Sequence, residues 1–240
     1  LTEKIKIGTF WDRGIPETLK EDAQFGTRIE NYRKASQNQS KTVKAGDAIP
    51  LKSGQTSLAM QVVTASRDVI PNVGEANPFA KLNQAQPIDD SDNAASVSTL
   101  LKFGKFKFLC CGDLTWNVEA KLVTPNNPLG QIELFMVTHH GLNVSNNPAL
   151  VWAIDPRVTV MCNGPTKGGA KETQETLRQV KSLQASVQLH RNVQLTDGEQ
   201  TPAEFIANGG QTEGCQGRLI KASVAPDGKS YTVRSEEHTS

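Results

Sequence analysis

Apolar positions in this chain come in short runs, and the central one, Ile132 to Val137 (IELFMV), has the length and composition of a buried strand. It ends in Thr138-His139-His140-Gly141. Ser145 or Asn146 then stands where a helix cap is needed, and Pro148 suits the first helical turn. Ala149 to Ile154 is the apolar body of that helix, which Asp155-Pro156 stops. Val158 to Cys162 is a second apolar strand, followed by the glycine-rich loop Asn163 to Gly169. Strand, short helix and strand predict a parallel βαβ unit, whose ligands gather at the carboxyl ends of its strands.

The same patterning predicts elements on both sides of this unit. Ile5 to Trp11 reads as a strand, and a helical stretch runs from Pro16-Glu17 to about Ser36 with an interruption near Gly26. Lys41 to Leu51 and Leu58 to Ala65 read as antiparallel strands turning at Lys52-Ser53-Gly54. Ser66 to Asn93 has no period, and a loop that long is either functional or poorly ordered. Val97 to Phe103 and Phe106 to Cys111 form a hairpin around Gly104-Lys105, after which Thr115 is placed to cap a helix from Trp116 to Val123. Lys171 to Gln184 is an amphipathic helix, Ser186 to Leu189 a strand running into His190, and Leu219 to Val233 a hairpin turning at Pro226 to Lys229.

Composition narrows the classes of function. The 240 residues suffice for one large domain or two small ones. A net charge of +1 gives no electrostatic reason to expect nucleic acid or a membrane surface as partner. No apolar run approaches the roughly 20 residues that span a bilayer. The four cysteines, Cys110, Cys111, Cys162 and Cys215, include no CxxC pair, and buried free thiols are the expectation.

Three features could carry chemistry: Asp113 after the second hairpin strand, the pair His139-His140, and His190. Each lies at the end of an apolar strand, and strands lying side by side would bring all three to one rim. A carboxylate with two or three imidazoles suits zinc, manganese or iron, leaving positions open for water. The loop from Asn163 to Gly169 adds backbone N–H groups and Lys167, a candidate anion site. Each of these residues also has a plain alternative: a capping aspartate, core or surface histidines, a solvated lysine.

At these residues the sequence resembles a known family. LLKFGKFKFLCCGDL followed by MVTHHGLNVSNNPALVWAIDPRVTVMCNG is similar to the second half of the metallo-β-lactamase fold. Within it, the similarity is to the branch typified by the hydrolase domain of the competence protein ComEC and its stand-alone bacterial relatives. The similarity extends from about Lys4 to Val233, with residues 1–233 as a partial domain. It implies an α+β architecture, an αββα sandwich of two face-to-face sheets, with one or two metal ions at the sheet edge, zinc or manganese. Asp113, His140 and His190 would match metal ligands and His139 a catalytic histidine, with Asn163 and Lys167 on the substrate side. The implied activity is hydrolysis of a phosphodiester or related ester by metal-activated water, on a small-molecule or phosphodiester substrate.

The leading family motif, HxHxDH, is missing: no histidine precedes His139. The expectation is therefore a chain that carries part of a metal site, lacks the amino-terminal portion of the domain, and turns over little by itself. Arg234 to Ser240 (RSEEHTS) matches the peptide that a sequencing adapter encodes in frame, so residues 234–240 are read as a non-native tail and His238 as no part of a site. The alternative function is a non-catalytic anion-binding or structural module of the same fold. A nucleotide-binding reading of NGPTKGG fails, because it lacks the GK[ST] and GxGxxG spacings. The compartment is left open, as bacterial cytoplasmic or exported.

Overall fold

The computed structural model describes residues 2, 4–209, 215 and 217–236. Its strands are β1 (Trp11–Asp12), β2 (Lys41–Thr42), β3 (Ala48–Ile49), β4 (Leu58–Ala65), β5 (Asp68–Val69), β6 (Glu75–Ala76), β7 (Ser98–Phe103), β8 (Phe106–Cys110), β9 (Asn126–Asn127), β10 (Leu134–Met136), β11 (Val158–Met161), β12 (Ala185–His190), β13 (Ile206–Asn208), β14 (Leu219–Val224) and β15 (Tyr231–Glu236). The α-helices are α1 (Phe25–Ser36), α2 (Trp116–Val123), α3 (Pro148–Ile154) and α4 (Lys171–Arg178).

Alternation along the strands builds one large mixed sheet. Its order is β13-β12-β11-β10-β8-β7-β4-β3, with β5 added on β4. The five strands from β13 to β8 run parallel, and the hairpin at Gly104 turns the rest antiparallel. β10, α3 and β11 form the predicted βαβ unit, with Leu134 opposite Val158. Residues of one parity, including Leu109, Phe135 and Met161, face α2, α3 and α4 and meet Leu122, Leu150 and Leu177 in the main core. Residues of the other parity, Phe106, Leu134, Val158, Val160 and Val187, are covered by the β14–β15 hairpin through Ile220, Val224, Tyr231 and Val233. The expected pair of large sheets is thus seen, among the described residues, as one nine-stranded sheet with helices on one face and a two-stranded hairpin on the other. Among the described residues no helix is long and apolar enough to cross a membrane.

Several boundaries differ from the sequence reading. Of the first expected strand only Trp11 is paired as a strand, and with Asp12 just beyond it runs parallel to β2. Helix α1 begins at Phe25, and Gly26 lies inside it; upstream, the Asp22 carboxylate holds the N–H of Gln24 in a turn. Helix α4 stops at Arg178 because Asp155 captures the following segment, accepting from Ser182 N (2.9 Å) and Ser182 Oγ (2.6 Å). The cap of α3 is Asn147, whose side chain accepts from Ala149 N, rather than Ser145 or Asn146. Thr115 takes the N-cap position of α2 without a side-chain bond to that helix. The cysteines are free, with Cys111 in the main core and Cys110 half-buried on the opposite face. Residues 234–236 extend β15, and 237–240 lie outside the described residues.

Glu119 joins α2 to α3 from a fully buried position, accepting from Asn147 N at 2.8 Å. Burial pushes its carboxyl up to about 7, against the pull of Asn147 N–H and the Thr138 hydroxyl. The folded protein therefore holds this proton more tightly than the unfolded chain. Stability contributed by the neutral form is complete below pH 4.5 and is lost as pH rises through about 7. Glu119→Gln should flatten this fall and raise the urea midpoint at pH 8, because the amide keeps an acceptor for Asn147 without a buried charge. An unchanged pH profile in the variant would refute the assignment.

Candidate functional site

Parallel pairing of β8, β10 and β11 places their carboxyl ends on one rim. The chain leaving β8 turns at Gly112 (φ +59) and presents Asp113. The chain leaving β10 is stitched to it, since His139 N donates to Gly112 O at 2.9 Å. His139 and His140 both adopt left-handed backbone, with φ of 53° and 57°. Such conformations cost a non-glycine residue on the order of 1–3 kcal/mol each. Asn146 holds the turn: its Oδ1 accepts from Thr138 N, and its Nδ2 donates to Thr138 O and Leu142 O. The loop after β11 closes over the other side, with Gly169 N and Ala170 N donating to His140 O and Gly141 O, both at 2.8 Å. A Cβ at Gly168 (φ +81) would stand 2.2 Å from His140 O, so only glycine fits there.

Hydrogen-bond partners fix the protons on both imidazoles. His140 Nδ1 lies 2.8 Å from Cys162 O, which can only accept, so Nδ1 carries a hydrogen. Nε2 is 3.6 Å from Asp113 Oδ1. His139 Nδ1 lies 3.1 Å from Ser145 Oγ, and Ser145 gives its only hydrogen to Leu114 O at 2.7 Å. His139 must therefore donate through Nδ1 as well. Its Nε2 faces Asn93 Nδ2 at 3.2 Å and Asp113 Oδ2 at 3.9 Å. Burial lowers the proton affinity of His139 below the ordinary imidazole value; Asp113 opposes this, and His140 and Lys167 reinforce it. His140 Nε2 thus faces the Asp113 carboxylate, while the Nε2 lone pair of His139 accepts the Asn93 amide hydrogen, with Asp113 next to it. Asp113, His139 and His140 form one polar cluster at the rim.

Its donors, two imidazoles and a carboxylate, suit zinc or manganese. Both histidines also have the anchored Nδ1–H usual for metal-ligating imidazoles. Among the described residues, however, no group of three or more His, Cys, Asp or Glu is arranged to hold a metal ion, so these three do not make a complete site as they stand.

The other predicted site residues separate. His190 ends β12 on the same rim, but the hydrogen bonds described for it run through its main chain, to Asn163 and Gln188. The described contacts of Asp113, His139 and His140 do not include its imidazole. Asn163 is buried, and its amide is spent on Gly164 O and on the main chain of His190; it ties β11 to β12 rather than offering a free donor. Lys167 is exposed on the closing loop, near enough to act on His139.

Sequence reasoning missed Asn93, Ser145 and the Cys162 carbonyl as partners of the histidines. It also missed Asp89, whose charge reaches His139. Asn93 and Asp89 lie in or at the end of the long aperiodic loop, where length alone signalled function. Ser145 was legible only as a helix cap.

No protein-family model matches the chain, and no curated protein matches it. Among solved structures, the chain is similar to a protein from Parabacteroides distasonis ATCC 8503 named as a metal-dependent hydrolase, with a TM-score of 0.38 and 14% identity over 76% of this chain and 74% of that one.

The tautomers are directly measurable. Long-range 1H–15N correlation of the imidazoles at pH 7.5 should show an Nδ1–H neutral form for both His139 and His140. An Nε2–H form at His140 would contradict its bond to Cys162.

Proposed function

We propose that this chain carries part of the metal site of a metal-dependent hydrolase of the metallo-β-lactamase kind, acting on a phosphodiester or related ester. The observation that supports it is the approach of Asp113 to the Nε2 atoms of His140 (3.6 Å) and His139 (3.9 Å) at the ends of parallel strands. Asp113 and His140 would hold a zinc or manganese ion, and residues beyond this sequence would complete the set, in line with the missing HxHxDH motif. A bound divalent ion supplies Lewis acidity there, polarising the ester and making water nucleophilic near neutral pH.

The chain's own residues account for the remaining steps. Burial favours the neutral form of His139, and its Nδ1–H is tied to Ser145, so Nε2 can take a proton once the Asn93 amide turns away from it. Asn93 orients that ring from the opposite side. Lys167, exposed beside the pair, meets the anionic part of the substrate. His190 has no part in this reading, although family resemblance suggested a late-strand ligand.

A second reading, a non-catalytic anion-binding module, is favoured by the incomplete donor set together with the exposed Lys167. Calorimetric titration separates the two. Zn2+ should bind saturably at pH 7.5, and Asp113→Asn or His140→Ala should weaken it about tenfold or more, while His190→Ala leaves it unchanged. Absence of saturable metal binding, with phosphate binding that depends on Lys167, would replace the hydrolase reading by the module.

A further inference from the structure

Beside the histidines lies a cleft of about 540 Å³ that the metal-site reading does not use. One wall is the segment 86–89, pinned to the start of α2: Asn117 Nδ2 donates to Gln86 O (2.7 Å), Asn117 Oδ1 accepts from Gln86 N (2.9 Å), and Trp116 Nε1 donates to Gln84 O (2.9 Å). The other wall is Asn143 and Val144, fixed by Trp116 N donating to Val144 O at 3.0 Å. Both walls are therefore built on one rigid element.

Two lining side chains are apolar and uncovered, Ile88 at 87% exposure and Val144 at 51%. With Pro87 and Trp116 they form the apolar side of a trough whose other lining, Gln86, Thr115, Asn117 and Asn143 with Asp89, is polar. Asp89 is the charged side chain of the lining, which contains no lysine or arginine. Its Oδ1 accepts from Ser91 N at 2.8 Å. Burial pushes its carboxyl up, but hydrogen bonds from Ser91 and Thr115 and the nearby Arg67 guanidinium, outside the lining, outweigh this and hold it below the usual range. The charge of Asp89 is felt at His139, and Val144 is followed directly by Ser145, the partner of His139 Nδ1. The trough is thus linked to the histidine rim through Asp89 and through the chain from Val144 to Ser145.

We propose that this cleft binds the organic group of the substrate, an apolar body carrying an ammonium that pairs with Asp89, and so selects against polyanionic chains. This deepens the hydrolase reading: Lys167 takes the anionic centre, and the cleft takes the cationic, apolar remainder. A trough with one apolar side and a carboxylate favours such a group by burial of its body and by charge, whereas a nucleic-acid backbone would meet Asp89 with like charge.

The test uses the full chain without added metal and three probes of similar shape: 2-phenylethylamine, 2-phenylethanol and 3-phenylpropionate. Binding is followed by the indole N–H resonance of Trp116. The amine should bind about fivefold tighter than the alcohol, the scale of one partly exposed ion pair, and the carboxylate weakest. Asp89→Asn should bring the amine to the affinity of the alcohol. Ile88→Lys, at a side chain too exposed to matter for folding, should weaken the amine further. Equal affinity of amine and carboxylate, or an amine preference that survives Asp89→Asn, would overturn the proposal. Because no metal is present, failure here leaves the zinc titration untouched. Failure of that titration with amine binding intact would remove the hydrolase and leave the cleft as a binding site.

Discussion

The parallel hydrogen bonding of β8, β10 and β11 is the constraint on which everything at the rim depends. These strands are short, yet their register aligns Cys110 with Met136 and Met136 with Val160, so the chain leaves all three at one level. Side-chain alternation holds the register from both faces. A slip of one residue would send Phe135 and Met161 out of the helix-covered core and bring Leu134 and Val160 into it. The carboxylate and the imidazoles then meet because the main chain leaves them no other place.

Around that frame, polar groups do the positioning that packing cannot. Ser145, Asn146 and Asn147 are consecutive and buried, and they act separately. Ser145 orients His139, Asn146 closes the histidine turn, and Asn147 caps α3. Glu119 ties the cap of α3 to α2, so the helix layer and the rim are mechanically joined. Hydrogen bonds of this kind bring modest net stability but are costly to leave unmade. The result is specificity of geometry rather than added stability.

Much of the frame was legible in the sequence. The hairpin at Gly104, the helix Trp116–Val123 and the βαβ unit follow from turn residues and apolar runs that agree locally with the final fold. Of Ile5 to Phe10, Phe10 bonds to β2 through its carbonyl, which accepts from Lys41 N, but none of these residues takes strand form, so pattern alone misled. The long reading of α4 failed because Asp155, distant in sequence, competes for the segment. Asp113, His139 and His140 were legible as a group because each ends a strand. Asn93 and Asp89 were not, because their approach to His139 is set by how an aperiodic loop folds back on α2. His190 shares the rim, but a strand end does not tell which neighbours a side chain meets.

The left-handed backbone at His139 and His140 has a consequence for how this turn can vary. Asparagine, aspartate and glycine tolerate such a conformation, whereas β-branched residues resist it strongly. The chemistry of the rim is thus open to change along a narrow alphabet: oxygen, amide or no side chain in place of nitrogen, with the main-chain path intact. Valine or isoleucine at the same positions would instead meet the backbone first, and the loop resting on His140 O through Gly169 would move with it. The turn is permissive toward function and strict toward shape.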